Sequence, residues 1–275
     1  MRFRVPAIFI LLIVAVSAQC QAPRQPAIAG SPAPYALPRA SYPGVPGWLV
    51  IDGLHAQSAD DMAAPRDAGY TISIFPFDSA WTRVDARSSL TLILPNGATR
   101  VVPQGRAWRK DSWDATVLSV RASDGAATSA VAAAWLLPAL SVPDAAVLPV
   151  RDSLSPNGDW RSWTAGPVWF VLRRTDSISA VLTAERDGWA SHVVRRVAID
   201  SALDRAMGAD PQTKLSLQSD WRLPLVIAAY RFGRSGAIAA VLTESGYECQ
   251  NYFVVVFLAS GIEVIDEPHY FFCPS

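Results

Sequence analysis

Lysine is almost absent from this chain, with Lys110 and Lys214 standing against 22 arginines, and cysteine, histidine and methionine occur three times each. Charged residues make up only 17%, and 24 basic residues balance 24 acidic ones. Each shortage excludes something. A neutral chain lacks the basic surplus that binding to phosphate backbones requires, which argues against a nucleic-acid partner. Low charge with 51% hydrophobic residues excludes a disordered polymer. The histidines, His55, His192 and His269, include no pair four apart, so the helix-face zinc pattern HExxH is missing. There is no CxxC, no GxSxG elbow and no GxGxxG or GxxxxGK[ST] phosphate cradle. No metal, cofactor or catalytic constellation is therefore expected.

What is present begins with an address. Met1-Arg-Phe-Arg4 precedes an apolar run over residues 7–16. As a helix this run would rise about 15 Å, half of a ~30 Å hydrocarbon core, which suits a secretory leader rather than a membrane span. Val16-Ser17-Ala18 offers small residues for cleavage, so 1–18 reads as a signal peptide. Ser17-Ala18-Gln19-Cys20 then resembles the lipobox of bacterial lipoproteins, whose cysteine receives diacylglycerol and becomes the first mature residue. That pattern has an aliphatic residue three places before the cysteine and a small one just before it, where this chain has Ser17 and Gln19. Two mature starts follow, an acylated Cys20 or a free thiol behind Gln19. Either way the expected location is outside the cytoplasm, periplasmic or outer-membrane-anchored, with membrane contact only through Cys20.

Residues 19–47 are rich in proline and alanine, have no apolar period and read as an extended tether. Residues 48–275 suffice for one large domain or two small ones, with a subdivision near 138–159. Strand signals dominate them. Tyr70-Thr-Ile-Ser-Ile-Phe75 alternates, and Asn96-Gly97 between two apolar runs marks a hairpin, with Pro95 suggesting a sheet edge. Gly233-Arg-Ser-Gly236 and Ala259-Ser-Gly261 read as further hairpin turns. One short helix is expected near 199–207, with Ile199, Leu203, Ala206 and Met207 on one face.

The chain also echoes itself. Asp159-Trp-Arg161 recurs as Asp220-Trp-Arg222, and Ile178-Ser-Ala-Val-Leu-Thr183 as Ile238-Ala-Ala-Val-Leu-Thr243; Trp108-Arg109 with Trp113 is a weaker third echo. The expected fold is thus all-β, built of repeated antiparallel meander units of about 50–60 residues, propeller-like or as two packed sandwiches.

Cys249 and Cys273 flank a strand-rich C-terminus. In an oxidising compartment they are expected to form a disulfide, and closing a loop of about 25 residues would stabilise by roughly 3–4 kcal/mol. Asp152-Ser-Leu-Ser-Pro-Asn-Gly-Asp159 has the oxygen-rich look of a calcium loop but lacks its terminal Glu, and reads as a Pro-Asn-Gly turn. The ten tryptophans are the unusual resource. Trp108, Arg109, Trp113, Trp160, Arg161 and Trp163 form a candidate binding surface, because indole faces beside guanidinium groups suit a sugar or a protein partner. Alternatively, each Trp anchors its own unit in the core, and burial of Trp160 and Trp221 is the expectation if the units repeat. The functional expectation is an exported envelope binding protein with a protein or glycan partner, in its specific form an inhibitor or immunity-type lipoprotein. The alternative is an envelope hydrolase or glycan-processing enzyme using Asp152, Asp159 and Asp220 with a histidine.

Overall fold

The computed structural model describes residues 37–38, 42, 44–51, 55–56, 69–74, 78–84, 86–95, 97–110, 115–123, 133–138, 145–199, 214–220, 222–233, 235–245, 250–265 and 271–272. Regular structure among them is strand throughout, apart from one 3-10 turn at Ser79–Arg83. The all-β expectation holds.

The first eight strands are β1 (Trp48–Ile51), β2 (His55–Ala56), β3 (Gly69–Ile74), β4 (Leu90–Leu94), β5 (Gly97–Pro103), β6 (Trp108–Lys110), β7 (Ala115–Ala122) and β8 (Ala133–Pro138). They make one antiparallel sheet in the order β2-β3-β1-β8-β4-β5-β7-β6. Because β3 also pairs with β7, from Gly69↔Arg121 to Ile74↔Thr116, six of them close into a barrel. Alternation along each strand fills it. Trp48, Val50, Leu90, Leu92, Leu94, Leu118, Val120 and Leu136 form one buried cluster with Trp81 of the 3-10 turn, whose ring meets Trp48 edge-on at 4.7 Å. Asp78 caps that turn by accepting from the Ala80 N–H at 2.8 Å. The interior is a packed core and not a channel.

The predicted hairpin at Asn96-Gly97 is present, β4 pairing with β5 up to Leu94↔Gly97. β4 is not an edge, however, because β8 holds its other side. Pro95 lies beyond the ladder and so removes no ladder hydrogen bond.

The remaining strands build a two-sheet sandwich. β9 (Ala145–Val147) is followed by β10 (Val150–Leu154), β11 (Trp160–Ala165), β12 (Val168–Arg174), β13 (Ser179–Arg186) and β14 (His192–Ala198). The five strands β10 to β14 form a meander sheet in chain order. Then come β15 (Leu225–Phe232), β16 (Ala237–Ser245), β17 (Gln250–Leu258), β18 (Gly261–Ile265) and β19 (Phe271–Phe272). These pair as β18-β17-β16-β15-β9, with β19 on β17. The turns at Gly233–Gly236 and Ala259–Gly261 join strands as expected.

This last sheet is the middle of three layers. Along β17, Tyr252, Val254 and Val256 join the cluster shared with the barrel, whereas Phe253, Val255 and Phe257 join the cluster shared with β10–β14. A sheet covered on both faces reads as an unbroken apolar run, which is why Phe253-Val-Val-Val-Phe257 shows no alternation. The barrel junction is aromatic: Trp135 of β8 sits 5.8 Å from Tyr230 and 5.3 Å from Phe232. Tyr230 is buried there, donates to the Ala133 carbonyl at 3.2 Å, and has its phenol pKa pushed up by desolvation. Tyr42 and Val45, from the segment read as tether, are buried in the same junction. Proline-rich composition predicts the absence of regular structure there but says nothing of burial. Gly47 adopts φ +84° against β8, where an added Cβ would strike the Leu136 carbonyl oxygen.

The propeller-like and two-sandwich alternatives both give way to a barrel joined to one sandwich. Sheets of eight, five and six strands are not four-stranded blades. The helix expected near 199–207 lies outside the described residues from 200 onward, and Ile199 is buried with its N–H donating to the Ile178 carbonyl at 2.8 Å. No helix among the described residues is long and apolar enough to cross a membrane.

Candidate functional site

The candidate surface read from the sequence does not assemble as one patch. Trp108 and Arg109 are exposed on β6 of the barrel sheet, whereas Trp160, Arg161 and Trp163 lie on β11 of the sandwich. Trp113 lies outside the described residues, as do Cys20, Cys249, Cys273, His269 and Trp221. The β11 residues are further divided by the strand's own period. Positions three apart point to opposite faces. Trp163 faces the inter-sheet core and is 2% exposed, while Trp160 faces outward and is 38% exposed. Burial of Trp160, expected of a repeat anchor, is therefore corrected. Arg161 shares the face of Trp163, its guanidinium 5.2 Å from that ring and ion-paired with Asp152. Asp152, Arg161 and Trp163 form a structural cap at the sandwich edge.

The carboxylates of the hydrolase alternative do not converge on one another. Asp152 is taken by Arg161, Asp220 by Arg222 at 2.9 Å, and Asp159 is exposed. The calcium-like string is a turn. Ser155 Oγ accepts from the Asp159 N–H at 2.8 Å and the Trp160 N–H at 3.1 Å, and the Ser155 carbonyl accepts from the Gly158 N–H at 3.0 Å. Among the described residues no cluster of His, Cys, Asp or Glu could hold a metal ion. His192 is exposed on β14.

A coherent surface does exist on the outer face of β10–β14, most of it missed in the sequence. Register fixes its rows. In one, Trp160 lies opposite Arg173, Arg173 opposite Val181, and Val181 opposite Arg196. In the next, Ser162, Val171, Thr183 and Val193 follow the same order. In the third, Arg151 on β10 precedes Thr164, Trp169 and Glu185. Opposed side chains in such pairs stand about 5 Å apart, so each row is a continuous strip. Trp160 and Val193 are exposed, the latter at 45%, while Trp169, Val171 and Val181 are half-buried. Between them lies a depression of about 380 Å³ lined by Val171 and Val181 together with Arg173, Thr175, Thr183, Glu185 and Ser191.

The polar groups of this face are unevenly satisfied. The Trp169 indole N–H donates to Glu185 Oε2 at 2.6 Å, which fixes the ring and occupies the carboxylate. Thr183 Oγ1 donates to the Val171 carbonyl at 3.3 Å. Arg151, Arg173 and Arg196 are exposed, and their guanidinium groups have no ion pair or hydrogen bond among the described residues. In contrast, Arg195 points inward to Glu244 at 3.2 Å and lies 4.5 Å from the Phe253 ring, tying the two sheets together. A signal for this face was available in Val168-Trp-Phe-Val-Leu172, which is apolar on both faces of one strand. Which of those faces another sheet would cover was not readable from periodicity. Compared with protein-family models, curated proteins and solved structures, the chain matches none.

Proposed function

We propose that this chain is an exported binding protein of the cell envelope, and that the outer face of β10–β14 is its recognition surface. One observation carries the reading. Trp160, Trp169, Val171, Val181 and Val193 leave apolar area uncovered on a sheet face that also carries Arg151, Arg173 and Arg196, which have no partner among the described residues. An apolar centre with a charged rim is the anatomy of a protein interface, and Trp and Arg are the side chains that dominate binding energy in such interfaces. A role as an inhibitor or immunity-type protein is the specific form we favour, since it needs recognition and no chemistry. The hydrolase reading is not adopted, because Asp152 and Asp220 are each committed to a different arginine.

The test of the surface is Val181→Asp in the mature chain. The new carboxylate would sit between Arg173 and Arg196, so the fold should tolerate it with a stability change under about 1 kcal/mol. Retention of envelope components on the immobilised protein should nevertheless fall about tenfold or more. Capture that Val181→Asp leaves unchanged would remove this face from the function.

Export and the C-terminal disulfide belong to the same reading. The leader pattern supports the first. For the second, the support is the oxidising compartment that export implies and the presence of two cysteines flanking the last strands of the sequence. The intact mass of the exported chain is expected to lack residues 1–18 or 1–19 and to be lighter by the two hydrogens of one disulfide. In the second case it carries the diacylglyceryl group on Cys20. A mass retaining Met1 to Ala18, or free thiols at both 249 and 273, would contradict this.

A further inference from the structure

We infer that the partner of the β10–β14 face is an acidic protein segment, one carrying apolar side chains among its carboxylates. This inference rests on the reading that the face is a binding surface, and adds which chemistry it recognises. Three arginines reach it, Arg151, Arg173 and Arg196, and none of them is ion-paired among the described residues. The one carboxylate in its rows, that of Glu185, is bonded to the Trp169 indole and offsets one of the three positive charges, leaving two in surplus. The face is therefore cationic although the whole chain is neutral, and a complementary surface must bring the negative charge.

The centre of the face decides between the classes of anion. Val171 and Val181 offer methyl groups, and the hydroxyl of Thr183 beside them is engaged with the Val171 carbonyl. A neutral glycan laid there would find partners in Arg173, Thr175 and Ser191, but it would leave the guanidinium charges uncompensated and set hydroxyls on the Val171 and Val181 methyl groups. Aliphatic or aromatic side chains of a protein would instead gain from the same contact. A bilayer is planar, whereas these valines line a depression that a lipid surface would bridge without filling. A second copy of this chain is disfavoured by its own charge. A two-fold pairing through this face would set Arg173 and Arg196 near their counterparts, a like-charge contact. The remaining occupant is an acidic, partly apolar polypeptide, its carboxylates on the arginines and its apolar side chains between Trp160 and Val193.

The experiment has two arms. In the first, a random copolymer of glutamate and tyrosine is titrated calorimetrically into the mature chain, beside heparin fragments, neutral oligosaccharides and phosphatidylglycerol vesicles. The copolymer should bind, weaken with rising salt, and lose about tenfold or more in affinity in Arg173→Glu/Arg196→Glu. Arg231→Glu, which reverses an exposed arginine on β15, should leave that affinity unchanged. In the second arm, a benzophenone side chain replaces Val181 in the producing cells, and any cross-linked peptide is sequenced. An adduct on an acidic, apolar-containing peptide that vanishes in the double arginine variant supports the inference. An adduct on a neutral or basic peptide, or one indifferent to charge reversal, overturns the acidic partner while leaving the binding face intact. Preference for heparin or vesicles over the copolymer, lost in the double variant, overturns the protein class. No binding by any probe together with no adduct overturns the surface as well.

Discussion

Replacing Trp135 with alanine is expected to destabilise the protein by about 3–5 kcal/mol, the range for emptying a large aromatic site. Trp135 lies on β8 at the point where the barrel's outer wall meets the middle sheet, and it is fully buried. Its ring contacts Tyr42 at 5.8 Å as well as Tyr230 and Phe232, so removal opens a cavity lined by three other aromatics that cannot collapse together. Its indole N–H donates to the Pro46 carbonyl at 2.6 Å, and truncation orphans that acceptor too. For a domain of this size each kcal/mol moves the unfolding midpoint by about 2–4 °C, so a fall on the order of 10 °C is expected. Trp135→Phe should separate the two contributions, keeping most of the packing and losing the hydrogen bond for roughly 1 kcal/mol. Denaturant unfolding of both variants checks this. A loss under about 1 kcal/mol in Trp135→Ala would mean that the junction does not hold barrel and sandwich together.

The features legible in the sequence are those set by neighbours along the chain. Gly97, Gly236 and Gly261 mark hairpins because each turn needs a positive φ, and the structure has +144°, +63° and +151° there. The barrel was not legible, because closure depends on β3 meeting β7, and no local pattern announces a pairing between residues 69–74 and 116–121. The internal echo marks strands that share one core. Ala180 and Leu182 of β13 and Ala240 and Leu242 of β16 all belong to the cluster between the two sandwich sheets. Two strands facing one core face similar packing demands and converge on similar residues. The resemblance ends outside that core: Val181 is half-exposed on the outer face, whereas Val241 is buried against the barrel. Similarly, Asp159-Trp-Arg161 opens β11, but Arg222 lies in a turn ahead of β15, its N–H and guanidinium both bonded to Asp220. The two strings do different work.

The contrast between Trp160 and Trp163 turns this distinction into a measurement. Both belong to one short strand, so composition, local propensity and solvent access to the chain are shared, and only the face differs. Trp163→Ala is expected to cost about 3–5 kcal/mol, because it empties a site in the inter-sheet core. It also removes the ring beneath Arg161, leaving that guanidinium held by Asp152 alone at a partly exposed edge. Trp160→Ala removes an outward indole and should change stability by less than about 1 kcal/mol. Its effect should appear instead in recognition, where loss of an exposed aromatic beside Arg173 is expected to weaken binding at the β10–β14 face about tenfold or more. Equilibrium unfolding and calorimetric titration on the same pair of variants read both quantities. Equal stability losses would show that Trp160 is packed as a core residue and would withdraw it from the binding face. A stable Trp160→Ala variant with undiminished binding would leave the valines and arginines as the surface that recognises the partner.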